Sequence, residues 1–451
     1  MKPNIICILS DQQRWDTLGC YGQKLPISPN LDKMAEEGVR FEQAFTCQPV
    51  CGPVRASLQT GKYPTQVGCE LNNRHLPLNA DTLARRMKAA GYKTGYIGKW
   101  HLASGPNRHD EGLDPDYRIS PIPEEHRGGY DYWLASDTLE YTSHAYDGHM
   151  FDNDGNPRFF KPMRYRVDAH TDWVEEYLEQ QTKDEPFFLF VSYIEPHHQN
   201  DHHCYEGPKG SKERWSNYEI PGDLAGLPGD WVEEYPDYLG CCHALDNAVG
   251  RVRKKLEEME IDDNTVVIYT SDHGSHFKTR NGEYKRSCHD ACLRVPMIFN
   301  GPGFRTGEVN QNLASLIDLP RTILSMAGGE VPADWQGVDL RDAVGNRLAR
   351  DAVFAQISES HTGRTIRTKK WKYAIALPGV DWTWVEQEHT GDIVYQEAFL
   401  YDLENDPHER NNLIADPTLA DIRAELAGRL KAEMTKADET VLAIKGAVAQ
   451  T

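Results

Sequence analysis

Apolar residues along this chain fall into short unbroken runs separated by stretches of helical periodicity. Residues 5–9 (Ile-Ile-Cys-Ile-Leu), 186–194 and 265–270 are continuous, largely β-branched or aromatic, and too short for buried helices, so they read as strands covered on both faces. Further strands are expected at 39–45 and 94–97. Between them, apolar positions recur at three- and four-residue steps. The stretch 29–38 places Leu31, Met34 and Ala35 on one face and ends at Gly38, 81–90 stops at Gly91, and 168–181 is helical. The clearest helix is 238–259, where Leu239, Cys242, Leu245, Val249, Val252, Leu256 and Met259 form one stripe. Strands alternating with helices define an α/β chain.

Two regions break the alternation. Residues 104–166 are rich in Gly, Pro, Asp and aromatics with little period, which predicts a long loop-bearing insertion. Residues 329–346 are a Gly, Pro and Asp stretch of linker character. Beyond it, strand-like segments at 352–357, 367–375 and 399–403 and a helix over 419–442 predict a small antiparallel sheet with one helix. The expected division is 1–345 and 346–451.

Composition narrows the class. The 451 residues are 39% hydrophobic and 26% charged, with mean hydropathy −0.65 and no apolar run of membrane-spanning length. The net charge of −20 argues against nucleic acid or an anionic membrane as partner. The cations that do cluster are Lys278, Arg280, Lys285, Arg286 and Arg294. The first apolar segment lacks the length and cleavage site of a signal peptide, so a cytoplasmic protein is expected, or a periplasmic or secreted one if a leader has been removed. Adjacent Cys241 and Cys242 and the apolar setting of several of the ten cysteines suit reduced thiols. Cys288, His289 and Cys292 read as packing or site lining ahead of a zinc site, since no second pair follows.

Candidate chemistry sits at strand ends. Asp11-Gln12 follows the first strand and Asp272-His273-Gly274 follows 265–270; in open α/β sheets that edge takes ligands. Gly98-Lys99-Trp100-His101 follows 94–97. Glu195-Pro196-His197-His198 follows 186–194, with His202 and His203 close behind. Cys51-Gly52-Pro53-Val54-Arg55 opens a helix, whose N-terminus favours an anion.

The run Cys51-x-Pro53-x-Arg55, then Leu58 and Thr60-Gly61-x-Tyr63-Pro64, resembles the motif of type I sulfatases of the alkaline phosphatase superfamily. Gly19-x-Tyr21-Gly22, Gly98-Lys99-x-His101, Pro196-His197, Asp272-His273-Gly274 and Gly282-x-x-Lys285 extend the likeness over nearly the whole chain. The resemblance implies a large mixed, mainly parallel sheet between helices with a smaller C-terminal α+β unit. It implies that Cys51 is oxidised by a formylglycine-generating enzyme and that a divalent cation, calcium ahead of manganese or magnesium, binds Asp11, Gln12, Asp272, His273 and the residue at Cys51. The family usually has a second Asp where Gln12 stands. Arg55, Lys99 and Lys285 would contact the sulfate, His101 the formylglycine hydroxyl, and His197 would protonate the leaving alcohol. His198, His202, Arg280, His361 and Arg364 are expected at the substrate. Trp382 and Trp384 would stack on a sugar or fill core. The implied activity is hydrolysis of sulfate esters, with a sulfated saccharide as substrate. The alternatives are a phosphonate monoester or phosphodiester hydrolase, and a non-catalytic carbohydrate-binding relative with unmodified Cys51.

Overall fold

The computed structural model describes residues 2–104, 116–345, 348, 350–378, 394–440 and 443–447. Trp382 and Trp384 lie outside the described residues.

The strands among the described residues form two sheets. At the centre of the larger, five strands run parallel in the spatial order Thr265–Ser271, Asn4–Ser10, Phe187–Ser192, Lys93–Lys99 and Tyr132–Ser136. Met297–Asn300 lies antiparallel beside the first of these, and Val39–Phe45 lies antiparallel beside Met297–Asn300. The sheet is thus mixed with a parallel centre. Asn4–Ser10 is buried at every position because both faces are covered. Ile6 and Ile8 pack with helices Pro29–Glu37, Arg166–Glu179 and Trp231–Glu258, while Ile5, Cys7 and Leu9 pack with helices Cys51–Thr60, Leu83–Ala89 and Asp318–Met326. Each such side chain contributes about 1.5–3 kcal/mol by leaving water, so a charge at Ile6 or Ile8 would break the sandwich.

Register decides where the chemistry goes. Ser10 pairs with Ser271, Leu9 with Ser192, and Gly98 also with Ser192. Four parallel strands therefore end side by side, and Asp11, Asp272, Lys99 and the segment leading to His197 emerge at one edge.

The smaller sheet has the order Ala352–Ile357, Gly363–Thr368, Trp371–Ala376, Val394–Asp402 and Ala443–Lys445. Its first four strands are antiparallel and the last is parallel to its neighbour. Helix Ala420–Lys436 buries Leu426, Leu430 and Met434 in the same apolar cluster as Phe354, Ile366 and Tyr373.

Several expected elements differ. The single strand expected over 367–375 is split by a turn between Gly363–Thr368 and Trp371–Ala376. The helix expected to reach 442 stops at Lys436 and gives way to Ala443–Lys445. The helix expected over 313–327 begins only at Asp318, because Leu313 lies within strand Glu308–Ser315. The 104–166 insertion is not all loop: Tyr132–Ser136 extends the parallel sheet, and Ser143–His144, Asp147–Phe151 and Pro157–Phe159 form antiparallel pairs beyond it. The helix expected at 238–259 starts at Trp231, past Pro236, because Trp231, Tyr235 and Tyr238 pack together with Phe277. All ten cysteines are free thiols, and Cys288 packs with Phe45 and Leu293. Among the described residues no helix is long and apolar enough to cross a membrane.

Candidate active site

Cys51 is the first residue of helix Cys51–Thr60, which contains Pro53 in its first turn and ends at Gly61 in the left-handed conformation. No side chain of Val50 caps this helix; Asn72 does so from outside, its Oδ1 accepting from Gly52 N–H at 2.9 Å. The Cys51 Sγ is buried, 2.8 Å from Lys285 Nζ, 3.2 Å from His273 Nε2 and 3.4 Å from Asp11 Oδ1. Burial and the Asp11 carboxylate push its thiol up to about 12, so an unmodified Cys51 carries no useful thiolate near neutral pH.

The strand-end carboxylates converge on this sulfur. Asp11 Oδ2 accepts from Lys99 Nζ at 2.7 Å and from Arg55 at 3.0 Å, and Arg55 also reaches Asp272 Oδ2 at 3.2 Å. Burial opposes the Asp11 charge, yet Lys99, His197, Arg55 and Lys285 hold that carboxyl well below the usual range. Burial and Asp11 instead push Asp272 up to about 7. His273 Nε2 lies 3.7 Å from Asp11 Oδ1 and 3.6 Å from Asp272 Oδ1. Its Nδ1 is 2.9 Å from the Gly274 carbonyl, which as an acceptor fixes the proton there and leaves the Nε2 lone pair free. Donor atoms of Asp11, Cys51, Asp272 and His273 all lie within 4.8 Å of one another. Two carboxylates and an imidazole aimed at one point are a donor set fit for a divalent cation.

Gln12 meets this cluster through its backbone, whose N–H donates to Asp272 Oδ1 at 3.0 Å. Its side chain is spent elsewhere: Nε2 donates to Tyr205 at 2.6 Å and to Ser275 at 3.3 Å, and Oε1 accepts from His198 N–H at 3.4 Å. The amide expected among the cation's ligands thus bonds Tyr205, Ser275 and the His198 backbone in this structure.

Two imidazoles border the cations. His197 Nε2 is 3.4 Å from Lys285 Nζ and its Nδ1 is 3.5 Å from Glu140. Burial and Lys99 hold its pKa well below the ordinary value. His101, in a left-handed backbone conformation, is shifted the same way by burial, Lys99 and Arg55, so the ring rests neutral. His198 stacks on Tyr284 at 5.1 Å.

The remaining residues expected at the substrate have other partners. Arg280 donates to the backbone carbonyls of His408 and Glu409, both at 2.9 Å, and Arg364 pairs with Glu439 at 2.6 Å. Both guanidiniums join the C-terminal unit to itself or to the larger sheet. His202 lies at the surface with its Nδ1 2.6 Å from Glu206. His361 is buried beside Ser360, and burial with Arg364 pushes its pKa down to about 4. Residues not anticipated support the site: Glu359 accepts from Asn72 N–H at 2.5 Å and pairs with Arg286 at 2.7 Å, linking the C-terminal unit to the Asn72 cap of the Cys51 helix.

Residues 3–329 match the family model described as Sulfatase, and residues 282–436 match that of the N-sulphoglucosamine sulphohydrolase C-terminal region. The chain belongs to the sulfatase family, whose members are sulfuric ester hydrolases. It is 30% identical to an ulvan-active sulfatase of Formosa agariphila, over 96% of this chain and 81% of that one. It is 24% identical to an N-acetylglucosamine-6-O-sulfatase of Bacteroides thetaiotaomicron, over 97% and 86%. The crystal structure of yidJ from Bacteroides fragilis superposes with a TM-score of 0.81 at 26% identity, covering 97% of this chain and 96% of that one.

Proposed function

We propose that the protein removes sulfate from a sulfated saccharide by way of a formylglycine made from Cys51, with a divalent cation held by Asp11, Asp272 and His273. The observation that carries this reading is the convergence of those donors on the Cys51 sulfur, with Lys285 on the sulfur itself and Arg55 and Lys99 on Asp11. The Cys51 Sγ marks where a hydroxyl of the hydrated aldehyde would stand. Calcium suits the two carboxylates, which can bind an ion through one oxygen or both. The bound cation supplies Lewis acidity to the nucleophile and to a sulfate oxygen.

The chain's own residues do the rest. Arg55, Lys99 and Lys285 face the position of the sulfuryl oxygens and neutralise charge there without reorganising. His197 stands beside Lys285, where the ester oxygen leaves, and its Nε2 delivers a proton to the alcohol. Burial, Lys99 and Lys285 keep His197 neutral at rest. The arriving sulfate anion offsets those cations and, with Glu140 at 3.5 Å, favours the protonated ring. His101, neutral at rest, takes the proton of the second hydroxyl so that sulfate is expelled and the aldehyde returns.

A saccharide substrate is supported by the relatives' activities and by the polar rim of His198, Asn200, Glu140 and Tyr284. Glu140 and Tyr284 both bond Asn200, leaving a surface of fixed donors and acceptors rather than an apolar slot. The test is sulfate release from a panel of position-defined sulfated saccharides, run beside matched phosphate esters. Turnover of a saccharide sulfate supports the reading, and preference for the phosphate esters overturns it.

A further inference from the structure

The loop that delivers His197 continues to the surface, where Asp201 and His202 meet the hairpin formed by Ser143–His144 and Asp147–Phe151. We propose that His144, Asp201 and His202 form a second metal site, distinct from the cluster at Cys51, for a borderline divalent transition ion such as Zn2+. Their donor atoms lie within 4.8 Å of one another. The surroundings are ordered as a metal's outer partners are. His144 Nδ1 is 3.3 Å from Asp147 Oδ1 and His202 Nδ1 is 2.6 Å from Glu206 Oε1, so each ring gives its Nδ1 proton to a carboxylate and presents Nε2. Asp201 Oδ1 accepts from Gln199 at 2.7 Å, which aims Oδ2 at His144 Nε2, 2.9 Å away. A metal ion replaces the proton in that last contact.

A hydrated surface ion cluster would explain the charges but has no need of two imidazoles oriented through the same nitrogen. The rings stack at 4.3 Å with an interplanar angle of 11°, and must splay for both Nε2 atoms to reach one ion. They are free to do so, since His144 and His202 side chains are 37% and 45% exposed. Asp147, Asp201 and Glu206 surround the two rings with negative charge, which favours a cation. The imidazole pair selects a transition ion over calcium. Occupancy would tie the hairpin to the loop that carries His197 and His198, stiffening one rim of the candidate active site.

The matured enzyme, kept in calcium so that its primary site is filled, is titrated with Zn2+ by calorimetry and with Co2+ by visible absorption. The expected result is one equivalent bound beyond calcium, with cobalt bands of nitrogen and oxygen coordination and a zinc-dependent rise in melting temperature. His202→Gln and His144→Gln, both at exposed positions, should each weaken that equivalent by about tenfold or more while leaving the melting temperature in calcium alone unchanged. No additional equivalent, or one that both variants retain at wild-type affinity, overturns the proposal.

Discussion

Around Cys51, three cations (Arg55, Lys99 and Lys285) face two carboxylates, Asp11 and Asp272. Where the smaller sheet meets the larger, Lys372 and Arg367 face Asp290 and Glu409. Both clusters are buried and built from the same residue types. The second is closed. Lys372 Nζ touches both carboxylates, Arg367 lies 3.3 Å from Asp290, and Asp290 N–H donates to Glu409 at 2.6 Å. The first is left open, with three cations to two carboxylates and a thiol among them. Burying ions is costly unless they are matched. The closed cluster is matched for holding two sheets together, whereas the open one keeps its excess for an anion that arrives later.

Variants can be ranked by how sharply they test that contrast. Cys51→Ser should abolish steady turnover, by roughly 10⁴-fold or more, yet release one alcohol per enzyme in a burst, because a serine sulfate has no second hydroxyl with which to expel its load. Sustained turnover by this variant, followed by continuous sulfate release, would contradict the mechanism. Lys285→Ala should lower kcat by about 10²–10³-fold with little change in the melting temperature of the metal-free protein, since Asp11 keeps Arg55 and Lys99 as partners. Lys372→Ala should do the reverse. It leaves Asp290 and Glu409 buried without their shared cation and costs about 3–5 kcal/mol, with kcat of the folded fraction intact. Equal thermal losses from the two lysine variants would erase the distinction between the clusters. The smallest effect belongs to Glu140→Gln, which removes the carboxylate beside His197. Alkyl sulfates, which need a proton on leaving, should slow by about tenfold, and aryl sulfates with good leaving groups much less; a uniform loss on both would deny Glu140 that role.

Much of the open cluster was legible in sequence because it follows a rule of backbone geometry. The runs ending at Leu9 and Thr270 are unbroken since both faces of the sheet are covered, and a carboxylate just past each run has to emerge at the same edge. The position of Cys51 followed from Gly52 and Pro53 opening a helix. His197 and Lys285 lie on irregular segments and were reached only through motif resemblance. Side-chain direction was not legible. Gln12 sits beside Asp11 in sequence, but its amide turns to Tyr205 and Ser275. Arg280 and Arg364 read as anion-binding charges until their partners, far along the chain at His408, Glu409 and Glu439, came into view. Asn72, Glu140 and Glu359 are isolated polar residues without periodicity, and nothing local distinguishes them from solvated loop positions.

The central claim is that Cys51 works as an aldehyde and not as a thiol. Burial and Asp11 hold the thiol near 12, so a cysteine there would be inert at neutral pH. The most direct measurement is the mass of the peptide carrying Cys51, taken from enzyme that is actively hydrolysing a sulfate ester. A peptide lighter than the cysteine form by about 18 Da is the predicted result. Full activity from protein whose Cys51 peptide retains the intact thiol mass would contradict it.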